Sequence, residues 1–281
     1  MKLLHCVFIV LNLILLFCTN NKKETYNTKP NVESSIKKEN QVNQIPVYSI
    51  KVIRTIPHDT LAFTQGLLFH NGYLYESTGQ YGHSSLRRIN VFNGKVEKIV
   101  DIEPEYFCEG IALFNNKIYM LTWQNNVCFV YNIITFKKEK LLPLAGEGWG
   151  LTNFDQKFLI QSDGTNILKV LEPINLKIIY TIPVFANQNP LPNLNELENI
   201  EADIWANIWM SDSIAVIDKA TGKVKYFVDA SPLRNYIAPN SNIDVLNGIA
   251  YDSKTKAIYL TGKFWPYIFE VEVTKSSNQS F

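Results

Sequence analysis

One pattern recurs five times along this chain, and it narrows the choice of folds more than any other feature. The segments FTQGLLFHNGYLYEST from Phe63, FCEGIALFNNKIYMLT from Phe107, EGWGLTNFDQKFLIQS from Glu147, ELENIEADIWANIWMS from Glu196 and VLNGIAYDSKTKAIYLT from Val245 align with one another. Each reads as a strand, a turn carrying Asn, Asp or Gly, and a second strand ending in Ser or Thr. A third strand follows every time: LRRINVF, VCFVYNI, ILKVLEP, IAVIDK and YIFEVEV. Fourth strands (VEKIVDI, EKLLPL, IIYTIPV, VKYFVDA) follow only the first four units. The fifth unit has none after Val273, while an unassigned strand, VYSIKVIRTI, stands at 47–56. If that strand completes the last unit, a ring closes and no sheet edge stays open. The sequence therefore predicts an all-β chain folded as a five-bladed β-propeller, closed by an N-terminal strand pairing into the last blade. A β-solenoid fits less well, because its repeats are shorter than units of about 40–50 residues.

The ends of the chain have a different composition. Lys2 precedes an apolar run from Leu3 to Cys18, broken only by His5 and Asn12, which reads as a signal peptide over residues 1–18. Leu15-Leu16-Phe17-Cys18 resembles a bacterial lipobox, with Phe17 where a small residue is usual. The expectation is an exported, cell-envelope lipoprotein, periplasmic or secreted, touching a membrane only through a lipid on Cys18. The plainer alternative is a signal peptide cut nearby. Residues 19–46 are rich in Asn, Lys, Glu, Thr, Ser and Pro and read as a tether, because so few apolar side chains cannot offset the entropy of ordering. Residues 47–273 form the expected domain, and 274–281 a polar tail. With 27 Lys+Arg against 26 Asp+Glu, there is no basic excess for a nucleic-acid surface. Outside the signal, Cys108 and Cys128 remain; they can pair in an oxidising compartment, but two buried thiols is the preferred reading. His58, His70 and His83 are scattered, which argues against a zinc site.

Propeller geometry picks out candidate site residues before any relative is considered. The third residues of the aligned units are Gln65, Glu109, Trp149, Glu198 and Asn247, and all are expected to approach the central axis. A second ring is expected from the turn after each second strand: Glu76-Ser77-Thr78, Thr122-Trp123, Ser162-Asp163, Ser211-Asp212 and Thr261-Gly262-Lys263, with Trp209 just upstream of its turn. Trp123, Trp149 and Trp209 can then wall one opening, with Phe63 and Phe107 beside them. An aromatic pocket holding a few polar groups is the usual form of a small-ligand site. Taken singly, each tryptophan reads equally as blade packing and Lys263 as a surface lysine. These residues by themselves point to a binding site on one face and to no particular reaction.

The segments FTQG, STGQYGHSSLR, FCEG, LTW, GEGWGL, NELE, WANIWMSD, LNGIAY and TGKFWP, in this order, resemble the plant-type glutaminyl cyclases of plants and bacteria. The resemblance runs from about residue 47 to 273. It implies a five-bladed propeller and a glutaminyl-peptide cyclotransferase, which converts N-terminal glutamine of peptides or proteins to pyroglutamate and releases ammonia. It places the functional residues on Phe63, Gln65, Phe107, Glu109, Trp123, Trp149, Asn195, Trp209 and Lys263. Cys108 stands where the family pattern usually has Gly. The implied roles are a proton shuttle for Glu109, oxyanion donors for Lys263 and Gln65, orientation of the substrate amide for Asn195, and pocket walls for the aromatics. No cofactor is required and no metal ligand is assigned, although a structural cation in the central channel fits the family. A monomer is expected, since a self-closed ring needs no partner. Two other classes stay open: a non-catalytic ligand-binding propeller, and a metal-dependent propeller hydrolase or lactonase using Glu109, Glu198 and Asn247.

Overall fold

The structure is a computed structural model that describes residues 44–239 and 241–275. The signal, Cys18 and almost all of the tether lie outside those residues. The first strand, β1 (Val47–Pro57), precedes three four-stranded antiparallel sheets. The first contains β2 (Thr64–His70), β3 (Tyr73–Thr78), β4 (Ser85–Asn90) and β5 (Val96–Asp101). The second contains β6 (Cys108–Phe114), β7 (Lys117–Thr122), β8 (Val127–Asn132) and β9 (Lys138–Pro143). The third contains β10 (Leu151–Phe154), β11 (Phe158–Gln161), β12 (Ile167–Leu171) and β13 (Ile178–Pro183). A small ribbon, β14 (Phe185–Ala186) with β15 (Asn189–Pro190), leads to the fourth unit. That unit is β16 (Leu194–Ile200), β17 (Asp203–Ile208), β18 (Ser213–Asp218) and β19 (Val224–Asp229). After a 3-10 turn at Ser231–Tyr236, the last three strands are β20 (Leu246–Asp252), β21 (Ala257–Gly262) and β22 (Tyr267–Lys275).

The hairpins follow from turn chemistry. Asn71-Gly72, Asn115-Asn116 and Asp155-Gln156 each place both central residues at positive φ, the signature of the two-residue turn that matches strand twist. Strand β1 runs antiparallel to β22, from Tyr48 opposite Lys275 to Pro57 opposite Tyr267. It also touches β19 in parallel, which fuses the fourth and last units into one eight-stranded sheet. The last strand therefore continues to Lys275, two residues into the stretch expected to be tail. Pairing with β1 leaves β22 no bare edge.

The first strands pack on one another in cyclic order: β2 on β6, β6 on β10, β10 on β16, β16 on β20 and β20 on β2. The result is an all-β, propeller-like assembly. Each junction has its own apolar core, and the two-residue period of the strands supplies both sides. In the first sheet Leu67 and Leu74 face Ala250, Tyr259 and Ile268 of the last unit. The neighbouring Leu68 and Tyr75 face Ile111, Met120 and Phe129 of the second sheet. The chain also crowds at the axis: a Cβ on Gly150 would lie 2.0 Å from the Asn195 carbonyl oxygen. Cys108 and Cys128 are buried free thiols; burial raises both, Cys128 to about 12, so neither is a nucleophile at neutral pH.

Strand register corrects the repeat alignment in the fourth unit. Four of the five first strands carry a bulge near their start, between Thr64 and Gly66, Cys108 and Ile111, Leu194 and Leu197, and Leu246 and Ile249; β10 pairs in unbroken register. The residue equivalent to Gln65, Glu109 and Asn247 is therefore Asn195, not Glu198. The misreading has a physical cause: Glu196 occupies the place held elsewhere by Gly66, Gly110, Gly150 and Gly248. Its carboxylate reaches across the axis to accept the N–H of Leu67 at 3.2 Å and of Ile249 at 2.9 Å. Glu198 lies farther along the strand, bonded to Thr152 and the Tyr251 N–H.

Candidate active site

In β2, β6, β16 and β20 the bulges turn Gln65, Glu109, Asn195 and Asn247 out of the regular ladder and toward the axis. There they form a hydrogen-bonded chain across three units. Asn247 Nδ2 donates to the Thr64 carbonyl at 3.0 Å and to Gln65 Oε1 at 3.3 Å, and Gln65 Nε2 donates to Glu109 Oε1 at 2.9 Å. Gln65 is thus tied to Glu109. Neighbouring units are clamped here as well: Ser77 donates to the Glu109 carbonyl and Ser162 to the Asn195 carbonyl, both at 2.6 Å. These bonds fix the backbone that carries the candidate residues.

The residue after each second strand is placed by a second repeated bond. The N–H of Gly79, Trp123, Trp209 and Lys263 donates to the carbonyl of Phe63, Phe107, Asn193 and Val245 respectively. Trp209 is therefore the first residue of its turn, since β17 ends at Ile208. Glu76 belongs to no turn; it lies inside β3 and points to His58. Gly79 leaves the space that the Phe107 ring fills, because a Cβ there would sit 2.4 Å from that ring.

The aromatics form an arc around the opening. Phe63 and Phe107 meet edge to face at 6.0 Å, Phe107 and Trp123 at 5.6 Å, and Trp149 and Trp209 at 5.8 Å. Lys263 Nζ lies over the Phe63 face, 4.5 Å from its centre. Phe264, the next residue, sits in the left-handed region at φ 63, an uncommon conformation for a bulky side chain that directs Lys263 inward. Sequence reasoning passed over Glu147. Its Oε2 accepts both indole N–H groups, from Trp123 at 3.0 Å and Trp149 at 3.2 Å, and its Oε1 accepts from Gln124 at 2.9 Å. The signal was present in GEGWG, where an acid precedes the tryptophan by two residues.

The electrostatics are unusual for a surface opening. Burial pushes Glu109 well above the ordinary carboxylate range; Lys263 opposes this and Glu147 adds to it. Burial likewise lowers Lys263, against the pull of Glu109 and Asp244. The acid is thus pushed toward its neutral form, while the Lys263 ammonium is lowered by burial against the two carboxyl groups that favour its charge. Asn195 Oδ1 is buried without a protein partner among the described residues. A groove of about 970 Å3 lies at the other end of the sheets, lined by His70, Asn71, Tyr251 and Lys254, and contains none of these residues. Among the described residues no three His, Cys, Asp or Glu side chains converge as a metal site. Glu198 is engaged by Thr152 and the Tyr251 N–H.

Fold and site together define a propeller-like protein with a small aromatic pocket that holds a buried acid and a buried cation. A family model described as Glutamine cyclotransferase matches residues 26–273. The glutaminyl-peptide cyclotransferase of Arabidopsis thaliana is 37% identical over 238 residues, covering 83% of this chain and 74% of that protein. The crystal structure of Myxococcus xanthus glutaminyl cyclase aligns with a TM-score of 0.77 at 34% identity, covering 82% of this chain and 99% of that one. The chain belongs to the glutamine cyclotransferase family.

Proposed function

We propose that this protein is a glutaminyl-peptide cyclotransferase built on a five-bladed propeller, with Glu109 as the proton carrier. The observation that carries the assignment of roles is the placement of Glu109, buried and with its carboxyl hydrogen-bonded only by Gln65 among the described residues, in the same site as Lys263 and the aromatic arc. The substrate is a peptide or protein with N-terminal Gln. Its neutral α-amine attacks its own side-chain carbonyl carbon, the carbonyl oxygen takes up negative charge, and the C–N bond to the amide nitrogen then breaks. Gln65 donates to Glu109 Oε1, so the acid proton resides on Oε2. That proton goes to the departing nitrogen, and Glu109 recovers one from the attacking nitrogen. The products are pyroglutamate and ammonia, and the acid is restored. The attack is intramolecular, so the pocket need only hold one rotamer near the reactive geometry.

Lys263 stabilises the developing oxyanion, and its desolvated ammonium does so more strongly than one in water. Asn195 orients the substrate amide through its open Oδ1. Phe63, Phe107, Trp123, Trp149 and Trp209 exclude water that would otherwise yield glutamate. From the neutral amine onward, every proton moves between substrate and Glu109, and no step calls for a cofactor. Export belongs to the same proposal: Lys2 and the apolar run to Cys18 support a signal, and Cys18 is the candidate lipid site. The test is ammonia release from a Gln-initiated dipeptide, with and without EDTA. Release that survives EDTA supports the reading; a folded but inert protein points to a binding propeller, and EDTA-sensitive turnover to a metal-dependent enzyme.

A further inference from the structure

Glu147 joins the two halves of the aromatic arc, with Trp123 on one side and Trp149 on the other. Hydrogen bonds from Gln124 and the two indoles hold its carboxyl below the ordinary range, although burial and Asp163 oppose them. All three donors are neutral. The neighbouring Asp163 is neutralised by Lys169 at 2.8 Å, but among the described residues no cation pairs with Glu147. A negative charge therefore stands uncompensated on the rim of the pocket. It is half-buried, so solvent and salt screen it less than a freely exposed carboxylate.

We infer that Glu147 is the residue that selects the substrate's N-terminal ammonium, and that it also positions the Trp123 and Trp149 walls. This rests on the cyclase reading above. An N-terminal amine has an ordinary pKa of about 7.7–8.0 and arrives largely as a cation at neutral pH. A carboxylate with no cationic partner, held at the N–H edges of two indoles, is a matched site for such a group through charge. The docked ammonium releases one proton to water before it can attack, and the cycle through Glu109 then runs as described. Glu147 has a second effect. Its charge helps burial to keep Glu109 protonated, against Lys263, which in turn faces Asp244. Ammonium selection and the protonation of the acid are thus linked through one side chain.

The decisive variant is Glu147→Gln in the full chain. The amide oxygen still accepts the indole N–H groups, so the walls stay in place while the charge is lost. With a Gln-initiated dipeptide, KM should rise about tenfold, the scale of a charge-assisted hydrogen bond. Inhibition by the matching pyroglutamyl dipeptide, which has no amine, should be unchanged. The alkaline limb of kcat/KM should also move to lower pH, because Glu109 without its acidic neighbour gives up its proton sooner. In the wild type KM should rise with salt, and in the variant it should not. Glu147→Leu, which removes the acceptor as well, should weaken product and substrate alike. If Glu147→Gln leaves KM and the pH profile where they were, the inference is wrong and Glu147 only braces the indoles. If product inhibition weakens as much as substrate binding, the effect is structural and the inference fails too. A wild-type protein inert toward Gln dipeptides overturns the cyclase reading and this inference with it.

Discussion

The molecule buries two carboxylates next to basic groups, and it treats them in opposite ways. Glu76 meets His58 at 2.9 Å and Thr64 at 2.6 Å, with Arg87 at 3.8 Å. Burial works against its charge, but His58 and Arg87 overcome that and hold it below the ordinary range. His58 is raised despite burial, chiefly through Glu76. It donates from Nδ1 to the Trp265 carbonyl and from Nε2 to Glu76, so both ring nitrogens carry protons. Glu109 makes one neutral hydrogen bond, to Gln65, and no ion pair within bonding distance of Lys263. Burial wins there: it raises the acid well above its ordinary range and lowers the ammonium. The lesson is that depth alone does not separate a structural acid from the one proposed to carry the proton. Glu76 has had its partners supplied by the fold, whereas Glu109 is left with capacity for a substrate.

The sharpest way to test this contrast is Glu109→Gln. Burial already favours the neutral form there, so the fold should be kept and the melting temperature held, while turnover falls about 10²–10⁴-fold. A variant with near wild-type ammonia release would break the assignment. Glu76→Gln should do the reverse: removing one member of a buried pair costs about 3–5 kcal/mol, read by urea denaturation, with kcat of the folded fraction unchanged. Lys263→Met should cost about 2.7–4 kcal/mol in activation free energy and leave stability equal or higher, because an unpaired buried ammonium is removed. The smallest effect is in pH dependence. The contribution of His58 is fully present below its unfolded value of 6.5 and is lost as pH rises through its raised folded value. That of Glu76 is present above its unfolded value of 4.5 and is lost as pH falls through its lowered folded value. A melting-temperature profile should therefore decline on both flanks, and His58→Asn should flatten the alkaline one.

Much of this architecture was legible because repeated strands leave a repeated pattern. The hairpin turns at Asn71-Gly72 and Asn115-Asn116, and the spare strand at 47–56, were readable from local chemistry. The fourth unit was not, because alignment leaned on a glycine that this unit lacks. Only the hydrogen-bond register, with its bulge between Leu194 and Leu197, brings Asn195 into the ring. The resemblance named Asn195, but the residue alignment did not. Glu147 and the His58–Glu76 pair escaped for a different reason. Their meaning lies in which groups they touch across units, and one sequence carries no record of such contacts. Glu76 was misplaced onto a turn because its strand ends two residues later, at Thr78.

The pairing of β1 with β22 has a consequence for how the chain is made. Arg54 and Glu270, partners at 2.5 Å across this seam, are 216 residues apart in sequence. Contacts between such distant residues are slow to form. During synthesis β1 must wait for β19 for its first three residues and for β22 for the rest of its length. The native ring thus has a birth order that its finished geometry conceals, and the nascent protein passes through an interval in which most of its first strand offers an unpaired edge.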